Sequence, residues 1–78
     1  MNRADLLHAL QQHRVRPDCY DLEGGLLDER YCLGRERGLW MVYYSERGLK
    51  IGSREFMAED DACRYFLDLV TSDPSTRA

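Results

Sequence analysis

The chain of 78 residues predicts an α+β fold: an N-terminal helix, a four-stranded antiparallel meander and a C-terminal helix, in the order α-β-β-β-β-α. Two observations carry this prediction. Apolar residues recur at helical spacing near both ends of the chain, and apolar runs of strand length alternate with glycine-containing turns between them. The length fits one domain, predicted over 1–72, with a flexible tail over 73–78.

Both predicted helices carry signals at their starts. The first is predicted over 3–13, because Asn2 is a suitable N-cap and a carboxylate stands in the first turn. It ends before Pro17, which disfavours helical geometry at the preceding residue. The second is predicted over 58–70, where the acids at 59–61 favour the helix dipole and an apolar stripe follows.

The four predicted strands cover 19–23, 26 or 27–33, 39–45 and 49–56. The predicted turns between them are Gly24-Gly25, the loop 34–38 and Glu46-Arg47-Gly48. The third strand is apolar on both faces, which predicts a central position in the sheet. The fourth alternates between apolar and polar residues, which predicts an outer strand, and Gly52 within it favours a bulge or a close contact.

Catalytic and metal-binding residues are not predicted. Cys19, Cys32 and Cys63 are widely spaced and form no C-x-x-C pair, so we interpret them as reduced structural thiols. His8 and His13 stand five residues apart on the first helix and are interpreted as surface residues. A chain this short buries few apolar residues, and an enclosed substrate site would have to be built from that small core. We therefore predict no enzymatic activity, no cofactor and no metal.

Composition predicts a folded protein outside the membrane. Apolar residues make up 44% and charged residues 32%, which disfavours disorder along the whole chain. The longest apolar run, 39–44, is far too short to span a bilayer. The N-terminus lacks the features of a signal peptide, so a cytoplasmic location is predicted.

Charge is segregated along the chain. Residues 1–29 carry six acids and three bases, residues 30–54 two acids and six bases, and residues 55–78 six acids and two bases. The first segment contains a cluster of carboxylates: Asp18, Asp21, Glu23, Asp28 and Glu29. Such a cluster can mimic phosphate and occupy a basic cleft of a partner, although a solvated surface, catalysis or metal binding remain alternatives. The spacing matches no calcium loop.

The basic middle segment suggests a second class of function. Five cations flank three aromatic residues: Arg35, Arg37, Arg47, Lys50 and Arg54 beside Trp40, Tyr43 and Tyr44. A sheet with exposed aromatic and basic side chains could stack bases of a nucleic acid. The acidic balance of the whole chain, with an isoelectric point near 5.2, opposes this reading because the acidic ends would repel phosphates.

Part of the sequence resembles small bacterial immunity proteins, the inhibitors encoded beside polymorphic or contact-dependent growth-inhibition toxins. The resemblance is carried by GLWMVYYSERG at 38–48, by Phe56 and by EDDACRY at 59–65, within a stretch from 31 to 69. It implies a small, cytoplasmic, non-enzymatic protein that binds its toxin tightly. Such a protein either plugs the active site of the toxin or blocks an accessory surface.

We therefore predict an immunity protein that neutralises a cognate toxin by protein–protein contact, the toxin being a nuclease or another enzyme with a basic cleft. The predicted contact residues are Asp18, Tyr20, Asp21, Glu23, Asp28 and Glu29, with Glu46 and Arg47 at a hairpin tip as a second patch. Two alternatives stay open: a nucleic-acid-binding module and a regulatory subunit of a housekeeping enzyme. A homodimer formed through an exposed sheet edge also stays open.

Overall fold

A computed structural model describes residues 1–77 and has two helices and a four-stranded sheet, which confirms the α+β class. The elements are α1 (Arg3–Gln12), β1 (Tyr20–Asp21), β2 (Arg30–Glu36), β3 (Leu39–Glu46), β4 (Leu49–Phe56) and α2 (Glu59–Thr71), with 3-10 helices at Pro17–Cys19 and Pro74–Thr76. The strand order is β1-β2-β3-β4. Within the described residues, no helix is long and apolar enough to cross a membrane.

The sheet is mixed, so the prediction of a purely antiparallel meander is wrong at the first strand. β1 runs parallel to β2, with Tyr20 opposite Tyr31 and Asp21 opposite Cys32. β2 therefore begins at residue 30 instead of 26 or 27, and 22–29 is a connection that returns the chain to the start of β2. Two parallel strands are usually joined by a long crossover connection. Because β1 has only two residues, the chain has only a short way to run back before β2 begins, and a short connection is enough.

The connection 22–29 crosses one face of the sheet, and this is why Gly24-Gly25 forms no hairpin. The Tyr43 hydroxyl donates to the Gly25 carbonyl at 2.8 Å and accepts from the Gly25 N–H at 3.0 Å. Gly24 lies against Gly34 of β2, where a Cβ would stand 3.3 Å from the Gly34 Cα. Gly34 thus serves close packing within a strand instead of opening the loop predicted at 34–38.

Two tight turns join the antiparallel strands. Arg37-Gly38 links β2 to β3 and Arg47-Gly48 links β3 to β4, and all four residues have φ between 53° and 78°. Positive φ at both central positions is the type I′ geometry, which matches the natural twist of a hairpin. The predicted turn at 46–48 is confirmed, whereas the loop predicted at 34–38 shortens to two residues.

β3 is central and β4 is an edge, as predicted. Val42 stands opposite Arg54 and Tyr44 opposite Ile51, so Gly52 and Ser53 together face the single residue between them on β3. Two residues opposite one define a β-bulge, and the positive φ of Gly52 (65°) is typical of such a site. The bulge predicted from Gly52 is therefore confirmed.

The core lies between the helices and one face of the sheet, called here the helix face. Leu6 and Leu10 of α1 and Ala62, Cys63, Phe66 and Val70 of α2 are fully buried there with Leu33 and Val42 of the sheet. The capping box predicted in part by Asn2 is complete, because Asn2 and Asp5 each accept from the other's backbone N–H. The opposite face, called the loop face, is covered at Cys32 and Tyr43 by the connection 22–29.

The segment predicted as a flexible tail packs against the domain over residues 73–77, while Ala78 lies outside the described residues. Thr76 is buried and its hydroxyl donates to the Val70 carbonyl at 3.0 Å. Arg77 forms a bridge with Val15, beyond the end of α1. The short 3-10 helix that brings Thr76 inward begins at Pro74, and the carboxylate of the preceding Asp73 caps it by accepting from the Ser75 N–H.

Candidate functional site

An open groove of about 560 Å³ lies between α1 and the chain around β1. Its apolar lining residues are Ala4, Leu7, Leu22 and Leu27. Its polar lining residues are Arg3, Tyr20, Asp21, Glu23 and Arg30. The groove therefore brings together three of the predicted contact residues, Tyr20, Asp21 and Glu23, beside leucines that the sequence analysis did not single out.

Leu7 and Leu27 of the groove are exposed, and for Leu7 the reason is that its neighbour Leu6 takes the buried position. Leu6 and Leu7 are adjacent on α1 and so point about 100° apart. Leu6 faces the core, while Leu7 keeps 39% of its surface exposed. Leu27, on the connection 22–29, is 55% exposed. Apolar side chains gathered at a surface in this way are typical of a binding site.

Arg3 links α1 to the connection 22–29 across the groove. Its guanidinium donates to Glu23 Oε2 at 3.1 Å and to the Leu22 carbonyl at 3.3 Å. The side chains of Arg3 and Glu23 are 45% and 81% exposed, so water screens this ion pair and it contributes little to stability. A partner cation can therefore approach Glu23, and a partner carboxylate can approach Arg3, at small cost.

Asp21 and Tyr20 form the part of the groove built on β1. Asp21 Oδ1 accepts from the Glu23 N–H at 2.9 Å, which fixes the chain as it leaves the strand. Tyr20 is half-buried and packs on the core, and burial raises the pKa of its phenol. Asp18 lies before β1 in a 3-10 helix, 3.7 Å from the guanidinium of Arg16, and does not line the groove.

The remaining predicted contacts meet at the β3–β4 turn. Asp28 Oδ1 accepts from the Arg47 N–H at 2.6 Å, so the carboxylate cluster and the hairpin tip join into one surface. The pKa of Tyr44 is raised, first by burial and then by neighbouring carboxylates that include Glu29 and Glu46. Within residues 1–77, no group of three or more acids, histidines or cysteines is placed to hold a metal ion.

Three cations of the basic segment lie over aromatic rings of the same chain: Trp40 and Tyr43 of the segment and Tyr65 of α2. The Arg35 guanidinium lies 5.0 Å from the centre of the Trp40 ring, the Lys50 ammonium 5.0 Å from that of Tyr43, and the Arg54 guanidinium 5.0 Å from that of Tyr65. Each of these ring faces is thus covered by a side chain of the same molecule. A nucleic acid would have to displace the cations before its bases could stack.

The thiols and imidazoles do not converge. Cys32 and Cys63 are buried, and burial raises the pKa of each thiol to about 11. Cys19 is half-buried and accepts from Arg16 at 3.3 Å. His8 and His13 are both exposed, on α1 and at its C-cap. All five residues are described, and no disulfide joins the cysteines.

The sequence analysis missed Arg3, Leu7 and Leu27 as site residues. A usable signal existed for Leu7, because adjacent residues on a helix point about 100° apart, so Leu6 and Leu7 cannot both face one core. Comparisons of the chain with protein-family models, with curated proteins and with solved structures found no match.

Proposed function

We propose that the chain acts by binding another protein through the groove between α1 and β1, as an immunity protein that neutralises a toxin. The supporting observation is the combination of exposed leucines and carboxylates at one open surface. Leu7 and Leu27 provide an apolar contact surface, and Asp21 and Glu23 line the same groove. An interface with an apolar centre and a charged rim is the usual design of a protein–protein contact.

The charges favour a partner of definite chemistry. Across the groove and the β3–β4 turn, acids outnumber bases: Asp21, Glu23, Asp28, Glu29 and Glu46 against Arg3, Arg30 and Arg47. We therefore expect the toxin to present an aromatic or aliphatic side chain flanked by lysines or arginines. Charge complementarity of this kind steers the encounter, while a buried apolar anchor holds the complex.

The resemblance of 38–48 and 59–65 to immunity proteins supports the same proposal from a separate part of the chain. Those residues belong to the β2–β3 turn, to β3 with its following turn, and to α2. They build the scaffold, while the groove lies on α1 and β1. Binding without turnover also agrees with a groove that is open and shallow, since catalysis favours sites that exclude water.

The proposal is tested by co-expression in bacteria with the product of each neighbouring reading frame. We expect one neighbour to arrest growth alone, to be harmless with this chain, and to co-purify with it. Rescue should weaken with Glu23→Lys, which reverses an exposed charge of the groove, and persist with Asp68→Lys, which reverses an exposed charge on α2. Absence of both toxicity and co-purification for every neighbour would refute the proposal.

A further inference from the structure

β4 is a long open edge of the sheet. It stands last in the strand order, and seven of its eight residues are exposed. The edge at the other end, β1, has two residues. An exposed strand presents a row of unpaired N–H and C=O groups, which is a template for pairing with another strand.

The backbone groups free for pairing belong to alternate residues of β4. The type I′ turn makes Leu49 and Glu46 a hydrogen-bonded pair, so the next residue, Lys50 opposite Ser45, directs its backbone groups outward. Glu55 stands opposite Met41, four residues from Ser45 along β3, and therefore has the same phase as Lys50. Glu55 is five positions after Lys50, an odd number, and the two share this phase only because the bulge inserts one residue.

The side chains of β4 also divide between the two faces of the sheet. Lys50 lies over the Tyr43 ring and so stands on the loop face. Glu55, opposite Met41, stands on that face too. Arg54 lies over Tyr65, and Phe56 packs against Tyr65 with ring centres 5.3 Å apart, so both stand on the helix face.

Antiparallel pairing of β4 with a second β4 has one register in which these features complement each other. When Lys50 lies opposite Glu55 of the second copy, the outward N–H and C=O groups of the two residues face each other and can form hydrogen bonds between the strands. By two-fold symmetry this register creates the Lys–Glu pair twice, on the loop face. The same register places Leu49 opposite Phe56 and Ile51 opposite Arg54, each also twice, on the helix face.

Leu49 and Glu55 have few partners within one molecule, and Lys50 can take a further one. Leu49 is 65% exposed, and Met57, which directly follows the strand, is 89% exposed. Among residues 1–77, Glu55 takes part in none of the ion pairs. Lys50 donates to Glu36 at 3.3 Å, but an ammonium has three donors and can hold a second carboxylate.

We propose that β4 pairs with β4 of a second copy of this chain, giving a two-fold dimer with one continuous eight-stranded sheet. The bulge at Gly52-Ser53 sits on the two-fold axis and sets the register. Because β1 and β4 are opposite edges of the sheet, the dimer leaves both grooves open and does not depend on the function proposed above.

Sedimentation of the purified full chain, from about 1 µM to about 1 mM, tests this proposal. We expect the mass of two chains at high concentration. Lys50→Glu and Glu55→Lys each put like charges opposite one another twice, so each should weaken the dimer roughly tenfold. The double variant Lys50→Glu/Glu55→Lys exchanges the charges and should restore the dimer, with circular dichroism confirming that all variants fold.

Three results would overturn the proposal. A monomer at every concentration would mean that the bulge protects the edge from pairing. A dimer unaffected by either single variant would place the interface elsewhere. Single variants that weaken the dimer while the double variant fails to restore it would exclude the Lys50–Glu55 register.

Discussion

At the scale of single residues, the Tyr43 hydroxyl orders the connection that builds one wall of the groove. Tyr43 is 3% exposed and forms hydrogen bonds to both the N–H and the carbonyl of Gly25. These bonds hold 22–29 against the loop face, and Leu22, Glu23 and Leu27 of this connection line the groove. The groove therefore depends on a hydroxyl that does not itself line it.

Replacing Tyr43 with Phe should therefore destabilise the fold more than the same change at Tyr44. Tyr43→Phe removes two part-buried hydrogen bonds to the Gly25 backbone, which together contribute about 1–3 kcal/mol. Tyr44 is half-buried, and its hydroxyl makes no hydrogen bond to any residue of the described chain, so Tyr44→Phe should change the free energy of unfolding little. Urea unfolding of both variants measures the difference, and equal effects would contradict the assigned role.

The thiols should separate into one reactive and two protected groups. Burial raises the pKa of Cys32 and Cys63 to about 11, so both remain protonated and inaccessible at pH 8. Cys19 is half-buried at the surface beside Arg16. We expect iodoacetamide at pH 8 to modify Cys19 first, and all three cysteines in denaturant, as read by peptide mass spectrometry. Rapid native modification of Cys63 would contradict the packing of α2.

At the scale of elements, the C-terminal segment is held by Asp73. Its carboxylate accepts from the Ser75 hydroxyl, from the Ser75 N–H and from the Tyr31 hydroxyl of β2. The first of these, with the Tyr31 contact next in weight, lowers the pKa of Asp73. Burial and the same carboxylate raise the pKa of Tyr31 to about 12, so the phenol remains a donor at neutral pH.

A lowered pKa gives a definite pH dependence. Asp73 contributes stability above its unfolded pKa of about 3.9, and this contribution is lost as pH falls through the lower folded pKa. The melting temperature should fall less between pH 6 and pH 2 in Asp73→Asn than in the wild type. Asp68→Asn, at an exposed position on α2, should show the same fall as the wild type. Identical acid limbs for wild type and Asp73→Asn would contradict the role of this carboxylate.

The elements that could be predicted from sequence are those fixed by local signals. Asn2 marks the start of α1, and Arg47-Gly48 marks the turn from β3 to β4. The direction of β1 could not be predicted, because it depends on contacts of Tyr43 with Gly25 and of Gly24 with Gly34, which are distant in the sequence. The packing of Thr76 was missed for the same reason, since its partner Val70 and the bridge to Val15 are tertiary features.

The candidate site was predicted only where a surface property was visible in the sequence. The carboxylates at 18–29 stood out as a cluster, and the structure divides them among the groove, the β3–β4 turn and, for Asp18, the 3-10 helix before β1. Arg3 and Leu7 belong to the groove through the position of α1 beside β1. Nothing in their local sequence indicated that neighbour.

At the scale of the whole molecule, the charge segregation of the sequence places most of the bases in the sheet and its tight turns, and most of the acids in the helices and in the connection 22–29. The basic segment 30–54 forms β2, β3 and most of β4, while the acidic segments supply α1, the connection 22–29 and α2. Part of this pattern is satisfied internally, as when Arg3 pairs with Glu23. The carboxylates left exposed from the groove to the β3–β4 turn remain free to attract a basic partner.

The two surfaces proposed here occupy opposite edges of the sheet, so they can act together. A dimer through β4 would present two grooves and could bind two partner molecules. We expect a complex of two chains and two partners, with an unchanged affinity per groove in the variant Glu55→Lys, which weakens the dimer. A partner that binds only the dimer would instead place part of its site on β4.

The most direct test of the central claim is calorimetric titration of the neighbouring toxin with two leucine variants. Leu27 lines the groove, whereas its neighbour Leu26 is similarly exposed, at 50% against 55%, and does not line it. We expect Leu27→Asp to weaken binding roughly tenfold or more and Leu26→Asp to leave it nearly unchanged. Equal affinity for the two variants would contradict a partner seated in this groove.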